Sequence, residues 1–417
     1  MTIAQLPFTG TVAAAGAARR LRIAVVTPEL HRTGGTERAT AELVAALARE
    51  HDVCLYCRRW EGEDGIPVCH HPVYVFPGPG VVRHMNFFVA ASLAVWRGER
   101  LHGPYDCVYS PGANCSQVSI STAWFCQARQ RDLLRTKRFQ LSPATWEDRL
   151  RGWHRTISAN WYAQLESRFY ASPRLQKVIC PAEVVSRDLM ECYGARPERL
   201  VVAHSGVDTA TFNRERRKEL RESARSELGL RPDEFCFLFV GTDWVRKCLL
   251  TVLDALVHVP GALLCAVGPY DPATWRRYAE RAGVRDRVRF PPRRPDVVSY
   301  YAAADAVVAP SFYEPFGMVP LEAVACGVPV IITRQMGVAE ILDDDSAVIL
   351  DDPSDSAALA KSMRRLMEDS ALRENLVLHG ELRARMNPWD GICRATLDAI
   401  RETATIRKAV ADGHAHA

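Results

Sequence analysis

The feature that most constrains the fold is a pattern of short apolar runs separated by helical segments, which occurs twice along the chain. The first copy opens with the apolar run at residues 21–27, followed by a glycine turn and a segment with apolar residues at helical spacing. The second copy opens at residues 235–241 and continues through the helical pattern at residues 249–257. Strands that alternate with helices indicate parallel sheets. The sequence therefore predicts two doubly wound α/β domains whose ligand crevices face each other across a deep cleft.

Further apolar runs extend both predicted sheets. They lie at residues 53–56, 73–76, 107–110 and 178–180 in the first half, and at residues 262–268, 288–290, 306–309, 328–332 and 347–350 in the second. A length of 417 residues also exceeds what one hydrophobic core normally holds. We predict a disordered extension at 1–20, an N-terminal domain at 21–204, a C-terminal domain at 205–385, and a final helix that crosses back to the first domain, with a tail, at 386–417.

Composition excludes some classes of protein. The net charge of +4 is small, and the 53 Lys and Arg residues are interspersed with 49 Asp and Glu residues, so nucleic acid is not an expected partner. No apolar run reaches the length of a membrane-spanning helix, and the stretch at 85–96 is expected to be a buried helix. We expect a cytoplasmic protein whose membrane contact, if any, is peripheral and at the inner face.

The cysteines indicate a reducing compartment. There are 13 of them, an odd number without a repeated spacing that would suggest a disulfide framework. The short pair Cys54 and Cys57 lies in a strand-like stretch and has no second pair or nearby histidine to complete a zinc site. We interpret both as buried strand residues and predict no metal site.

The most specific motif is a pair of glutamates, Glu314 and Glu322, which follows the predicted strand at 306–309. Gly317 keeps Glu314 in a loop, and Pro320 suits the first turn of a helix that carries Glu322. A helix start attracts phosphate and hydroxyl oxygens through its unpaired N–H groups. The residues whose backbone would face the crevice are Phe316, Gly317, Met318 and Val319. The alternative is that both glutamates are solvated helix charges.

This segment resembles the E-x7-E signature of the retaining GT-B glycosyltransferases of family four. The A-x-G-x-P-V pattern at residues 325–330 is similar to theirs as well. The resemblance implies that Glu314 contacts the donor sugar and Glu322 the nucleotide ribose. It also implies that the first domain binds the acceptor and the second binds a nucleotide sugar.

A second motif supplies cations after the strand at 235–241. A diphosphate leaving group develops negative charge, which fixed cations such as Arg246 and Lys247 can stabilise. The segment from Gly241 resembles the family's G-R-x-x-x-x-K-G motif, although Thr242 replaces its arginine and Cys248 its second glycine. The form G-[ST]-D-[FW]-x-R-K is similar to the lipopolysaccharide core glucosyltransferase branch. The resemblance implies that Arg246 does the work of the missing arginine.

Two further loops complete the predicted donor site. Gly34 and Gly35 allow backbone amides to approach a phosphate closely, although a simple turn is an equal alternative. Their position resembles the family's loop that closes over the diphosphate and the acceptor, and this resemblance implies that Thr36 and Glu37 lie on the acceptor side. The donor-binding residues expected in a loop that resembles the family's nucleobase cradle are Arg293 and Arg294.

The acceptor side is the part least like the family. Many members carry a histidine or aspartate near the position of Ala123, where this chain offers only a hydroxyl, Thr122, that could position a substrate. A window of cationic residues with nearby tryptophans runs from Arg129 to Arg155. It suits an anionic membrane surface or a phosphorylated glycolipid, and equally a solvated helical face.

Together these resemblances imply a retaining hexosyltransferase. The implied donor is a nucleoside-diphosphate sugar resembling UDP-glucose, and the implied acceptor is a glycan, a lipopolysaccharide or a glycolipid. We predict no cofactor and no metal requirement, because no aspartate-x-aspartate motif lies in a suitable context. The alternatives are a nucleotide-sugar epimerase or hydrolase of the same fold, and a non-catalytic partner of a transferase.

Overall fold

The structure, a computed structural model, contains two large parallel sheets. It describes residues 19–31, 35–61, 66–135, 146–269, 272–292, 294 and 296–414. The predicted extension at 1–20 therefore lies outside the described residues, apart from Arg19 and Arg20.

The first half of the chain forms a seven-stranded sheet. Its strands are β1 (Arg22–Val26), β3 (Asp52–Cys57), β5 (Val68–Pro72), β6 (Cys107–Ser110), β7 (Ile120–Thr122), β8 (Lys177–Cys180) and β9 (Leu200–Val202). Their spatial order is β5-β3-β1-β6-β7-β8-β9, and all pairs are parallel. The helices are α1 (Gly35–Glu50), α2 (Gly80–His102), α3 (Gln127–Arg135), α4 (Trp146–Tyr170) and α5 (Glu183–Tyr193). Two short strands, β2 (Glu29–Leu30) and β4 (Arg59–Trp60), pair separately.

The second half forms a six-stranded parallel sheet. Its strands are β10 (Phe235–Val240), β11 (Ala262–Val267), β12 (Val288–Arg289), β13 (Ala306–Ala309), β14 (Val330–Thr333) and β15 (Val348–Leu350). Their order is β12-β11-β10-β13-β14-β15. The helices are α6 (Arg214–Glu227), α7 (Leu249–Val257), α8 (Ala273–Arg281), α9 (Val298–Ala303), α10 (Met318–Ala325), α11 (Ser356–Glu368), α12 (Ser370–Met386) and α13 (Asp390–His414).

The central strands are apolar throughout because helices cover both faces of each sheet. Every residue of β13 and β14 is buried. Several helices of the second half begin at a side-chain cap, which satisfies one otherwise unpaired N–H group. Asn213 accepts from the N–H of Arg216, and Asp369 accepts from the N–H of Leu372. The apolar runs in the sequence therefore mark strands that helices cover on both faces.

Two expectations about the first half are wrong. The strand expected at 73–76 lies instead at β5, whose polar residues gave no apolar signal, while Tyr74 and Phe76 are exposed. The apolar stretch at 85–96 belongs to α2, but this helix buries only one face, through residues such as Phe87 and Ala91. The residues exposed on its other side are Val82, Met85, Val89, Leu93 and Trp96.

The last helix crosses from the second half to the first. Its entry is fixed where Val207 forms a bridge with Pro388, and a Cβ atom at Gly206 would lie 2.0 Å from the Pro388 carbonyl oxygen. Helix α13 then buries Ile392 and Ile400 against the apolar side chains of the first sheet. Among the residues that the structure describes, no helix combines the length and apolar character needed to cross a bilayer.

Candidate active site

Three charged side chains meet at the boundary between the domains. Glu314 lies in the loop between β13 and α10, and its Oε2 atom accepts from Lys247 Nζ at 2.6 Å and from Arg246 Nη1 at 3.0 Å. The side chains of Arg246 and Lys247 are 9% exposed and that of Glu314 is 14% exposed. We call these residues the basic triad. One carboxylate between two cations leaves it with a net positive charge.

The triad keeps its carboxylate ionised. Burial would raise the pKa of Glu314, but the charges of Arg246 and Lys247 and their hydrogen bonds lower the pKa to about 2. Removing one partner of a buried ion pair lowers the free energy of unfolding by about 3–5 kcal/mol, because it leaves a buried charge without compensation. The arrangement is therefore a fixed, mostly desolvated positive site, which is the kind of environment that binds an anion strongly.

Tight backbone contacts hold the lysine in place. A Cβ atom at Gly241 would lie 2.2 Å from Lys247 Cδ, so only glycine leaves room for the lysine stem. The indole N–H of Trp244 donates to the Gly241 carbonyl oxygen at 2.8 Å. Cys248 then has a left-handed backbone with φ of 61°. A left-handed backbone favours glycine, and glycine is the residue that the G-R-x-x-x-x-K-G motif has at the position of Cys248.

The start of α10 lies directly beside the triad. Gly317 precedes the helix with φ of 109°, in the region that favours glycine. The loop before it is held by the segment Gly337–Glu340, because Val338 N–H donates to the Phe316 carbonyl oxygen at 2.6 Å and Gly337 N–H to that of Glu314 at 3.1 Å. The first N–H groups of any helix lack partners within the helix, and Pro320 removes one of them. Those of Met318 and Val319 lie in this first turn.

Glu322 is oriented by a buried tyrosine. Tyr301 donates its hydroxyl hydrogen to Glu322 Oε2 at 2.7 Å. Burial raises the pKa of Glu322 to about 7, against the lowering effects of that hydrogen bond and of the charges on Arg38 and Lys247. Arg38 belongs to α1 of the first domain, and it pairs with Asp208 at 2.8 Å. Glu322 therefore lies within electrostatic reach of both domains.

The other predicted site residues lie in different surroundings. Gly34 and Arg293 lie outside the described residues. Arg294 has a side chain that is 39% exposed and pairs with Glu227 of α6. Thr122 is buried at the end of β7, where its hydroxyl and that of Tyr109 are 2.8 Å apart. The residues at the start of α1 are Gly35, Thr36 and Glu37, and the Thr36 hydroxyl donates to Glu37 Oε2 at 2.7 Å.

The structure adds two aromatic residues that the motifs did not reveal. Phe125 of the first domain lies 5.6 Å from the Arg246 guanidinium carbon, measured to the ring centroid, and 5.0 Å from the ring of Tyr313. The Tyr313 hydroxyl accepts from the N–H of Cys126 at 3.1 Å. The segment that lacks the family's histidine or aspartate therefore reaches the triad through a phenyl ring. In the sequence, the only indication that Phe125 belongs to the site is that it lies two residues after Ala123.

A second contact joins the domains beside this site. The Glu340 carboxylate accepts from the N–H groups of Glu183 and Val184 at 2.7 and 2.8 Å, and lies 2.9 Å from His204 Nε2. Burial would raise the pKa of Glu340, but these hydrogen bonds lower it. A cavity of about 450 Å³ adjoins the contact, and residues of both domains line it, including Arg129, Asp188 and Tyr313.

Two family models match the chain, one for each half. The model described as "Glycosyltransferase Family 4" matches residues 33–211, and that described as "Glycosyl transferases group 1" matches residues 221–383. The chain carries group 1 glycosyltransferase domains. The resemblance noted from the E-x7-E motif is thereby confirmed.

Relatives of these group 1 domains carry transferase names. A D-inositol 3-phosphate glycosyltransferase of Thermomonospora curvata is 34% identical over 242 residues, which are 53% of this chain and 54% of that protein. The chain thus spans about half the length of this relative. The lipopolysaccharide glucosyltransferase WaaG of Escherichia coli is 27% identical over 348 residues, covering 82% of this chain and 88% of WaaG.

Solved structures confirm the predicted GT-B fold. A crystal structure of WaaG, a glycosyltransferase involved in lipopolysaccharide biosynthesis, has a TM-score of 0.73 at 23% identity and covers 90% of this chain and 98% of its own. Anabaena HepE in complex with UDP-glucose has a TM-score of 0.68 at 16% identity, covering 92% of this chain and all (100%) of HepE. At these identities the likeness establishes the fold.

Proposed function

We propose that this chain is a retaining glycosyltransferase that moves a hexose from a UDP-glucose-like donor to a hydroxyl group of a glycan, lipopolysaccharide or glycolipid. The observation that carries the proposal is the basic triad, a buried net positive charge beside the start of α10. The family supports the reaction class. The name of WaaG and the complex of HepE with UDP-glucose support the choice of donor.

The triad would act on the leaving diphosphate. Lys247 has three N–H donors, and one of them is used by Glu314. The others, with Arg246, can bind phosphate oxygens as negative charge develops on them. The first amides of α10 add further donors to the same anion. Glu314 both fixes the two cations and offers its other oxygen to a sugar hydroxyl.

Glu322 and the loops of the first domain would orient the rest of the donor. Tyr301 holds one oxygen of Glu322, which leaves the other to accept from a ribose hydroxyl. Gly34, Gly35, Thr36 and Glu37 belong to a segment expected to close over the diphosphate and the acceptor. Arg293 and Arg294 are expected near the nucleobase, where backbone groups of their loop would bind it.

Retention is what the resemblance to the family implies, and it requires a route for the acceptor proton. Phe125 contacts Arg246, and a phenyl ring cannot accept a proton. In the proposed reaction the bond between C1 of the sugar and the phosphate oxygen breaks, and the acceptor oxygen bonds to C1 on the same face. The acceptor proton moves to the departing phosphate oxygen. This route needs no protein base and no metal ion.

The acceptor and its location are proposed from the first-domain surface. Exposed apolar residues of α2, such as Leu93 and Trp96, lie on a helix that also exposes Arg83, Arg97 and Arg100. Trp153 of the predicted cationic window is 69% exposed. Apolar side chains flanked by cations bind anionic membrane surfaces. We therefore place the protein at the inner face of the membrane, where lipid-linked acceptors are available.

A donor screen tests the proposal. The full chain is incubated with labelled nucleotide sugars, with and without glycan and glycolipid acceptors, and the products are identified. The proposal expects transfer from UDP-glucose with retained configuration. Rearrangement or hydrolysis of the donor without an acceptor would favour an epimerase or hydrolase. Binding without turnover would favour a non-catalytic partner, an option supported by the missing histidine or aspartate near Ala123.

A further inference from the structure

A cluster of sulfur and nitrogen ligands lies at the edge of the first sheet, on residues that the donor site does not use. Strands β3 and β5 are parallel neighbours, and their register aligns Cys54 with Cys69 and Tyr56 with His71. Aligned residues of neighbouring strands point to the same face, and so do residues two apart. Cys54, Cys69 and His71 consequently share one face, and their ligand atoms all lie within 4.8 Å of one another.

The sequence-based interpretation of Cys54 is corrected by this register. Cys54 and Cys57 point to opposite faces, and the partners of Cys54 come from β5, the strand that apolar periodicity did not detect. On the other face Cys57 Sγ lies 3.3 Å from His70 Nε2, which makes a pair and not a three-ligand group. Within the part of the chain that the structure describes, Cys54, Cys69 and His71 are the one group of three or more such side chains close enough together to hold an ion.

The surroundings orient the imidazole toward the two sulfur atoms. The Tyr56 ring stacks on that of His71 with centroids 4.7 Å apart, and His71 Nε2 lies 3.4 Å from Cys69 Sγ. The Tyr56 hydroxyl is held 2.6 Å from that of Tyr105 beneath α2. The stack therefore limits rotation of the His71 ring. Cys69 is exposed, so an ion can enter from solvent.

We propose that Cys54, Cys69 and His71 bind one Zn²⁺ ion, with water as the fourth ligand. Two thiolates and one imidazole suit this ion, which prefers sulfur and nitrogen in tetrahedral sites. Binding deprotonates both thiols and releases two protons to solvent. The bound ion ties the edge strand β5 to β3, so it stabilises the first domain. This site is independent of the proposed glycosyl transfer.

Cobalt titration tests the site directly. The full chain, reduced and stripped of metal, is titrated with Co²⁺, whose bonds to thiolates absorb in the near ultraviolet and whose visible spectrum reports tetrahedral geometry. The proposal expects one Co²⁺ per chain with thiolate absorption, which Zn²⁺ then displaces. Cys69→Ser, a change at an exposed position, should weaken Co²⁺ binding roughly a hundredfold or more. The matched control is Cys192→Ser, which changes a partly exposed cysteine of α5. This variant should bind Co²⁺ as tightly as the wild type does.

Thermal unfolding gives a second measurement. Because Zn²⁺ binds the folded state, it should raise Tm of the wild type and of Cys192→Ser but not that of Cys69→Ser. His71→Gln should behave like Cys69→Ser. A second variant at a different ligand shows that the result does not come from misfolding of Cys69→Ser alone. The proposal is overturned if Co²⁺ gives no thiolate absorption, if Cys69→Ser retains it, or if Cys192→Ser loses it.

Discussion

Lys247 is the residue on which the proposed leaving-group site depends most. We expect Lys247→Ala to lower turnover about a hundredfold or more, the usual scale for losing one donor to a developing negative charge. The measurement is steady-state transfer from the donor identified by the screen. Lys361→Ala is the matched control, because Lys361 is exposed on α11 of the same domain, and it should leave turnover unchanged. Turnover of Lys247→Ala within a few-fold of wild type would remove Lys247 from the site.

Glu322 should make stability depend on pH in a defined direction. Burial raises its pKa to about 7 in the folded state, against about 4.3 in an unfolded chain. The folded protein therefore binds more protons between these values. The stability that protonated Glu322 contributes is fully present below about pH 4.3 and is lost as pH rises through about 7.

Urea unfolding of wild type and Glu322→Gln across pH 4 to 8 would measure this loss, since glutamine keeps the shape without the charge. The free energy of unfolding of wild type should fall relative to that of Glu322→Gln up to about pH 7 and then level off. A difference that is constant across this range would show that Glu322 is solvated.

At the residue level, motif spacing predicted which charges meet, but not what surrounds them. Glu314 and Lys247 were selected because a strand end, a glycine and a helix start fix where they emerge. The Phe125 contact with Arg246 depends on how two domains pack, and no local pattern encodes it. Arg294 stays a prediction as part of a loop whose backbone would bind the nucleobase; its side chain pairs with Glu227. The sequence did not predict that pair, because no local pattern fixes the direction of a long surface side chain.

At the scale of elements, the turn before α7 contains a left-handed residue whose conformation a substitution can test. Cys248 is buried with φ of 61°, a conformation that β-branched residues rarely adopt. We expect Cys248→Val to lower the free energy of unfolding by about 1–2 kcal/mol more than the matched change Cys265→Val. Cys265 is also buried but lies in β11, where valine is favoured. Equal urea midpoints for the two variants would contradict the left-handed turn.

Helix α2 tests the proposed membrane surface. Leu93 is 60% exposed on the apolar side of α2, and Leu382 is 54% exposed on α12 of the second domain. If α2 lies on anionic lipid, Leu93→Asp should reduce co-sedimentation with phosphatidylserine vesicles about tenfold, because it places a charge in the interface. Leu382→Asp should not. Equal effects of the two changes, or equal binding to neutral vesicles, would exclude α2 as the lipid-binding surface.

Apolar periodicity predicted the central strands well because they are buried on both faces, as in β13 and β14. It failed at β5, an edge strand made of residues such as Cys69 and His71, which carry no apolar alternation. It also could not show that α2 leaves an apolar side exposed, since the expectation of burial presumes a covering element.

At the scale of the whole molecule, contacts between the domains define the cleft. Glu340 joins the second domain to the start of α5, Arg38 pairs with Asp208, and α13 packs on the first sheet. The triad lies where these contacts bring the domains together. We propose that its net positive charge holds the diphosphate without a divalent cation, and the proposed function depends on this claim.

Calorimetric titration of UDP into the full chain in the presence of EDTA tests that claim most directly. We expect one binding site in wild type and in Lys361→Ala, and an affinity lower by about tenfold or more in Lys247→Ala, which corresponds to roughly 1.4 kcal/mol. Binding that requires a divalent cation, or an unchanged affinity in a folded Lys247→Ala variant, would contradict it.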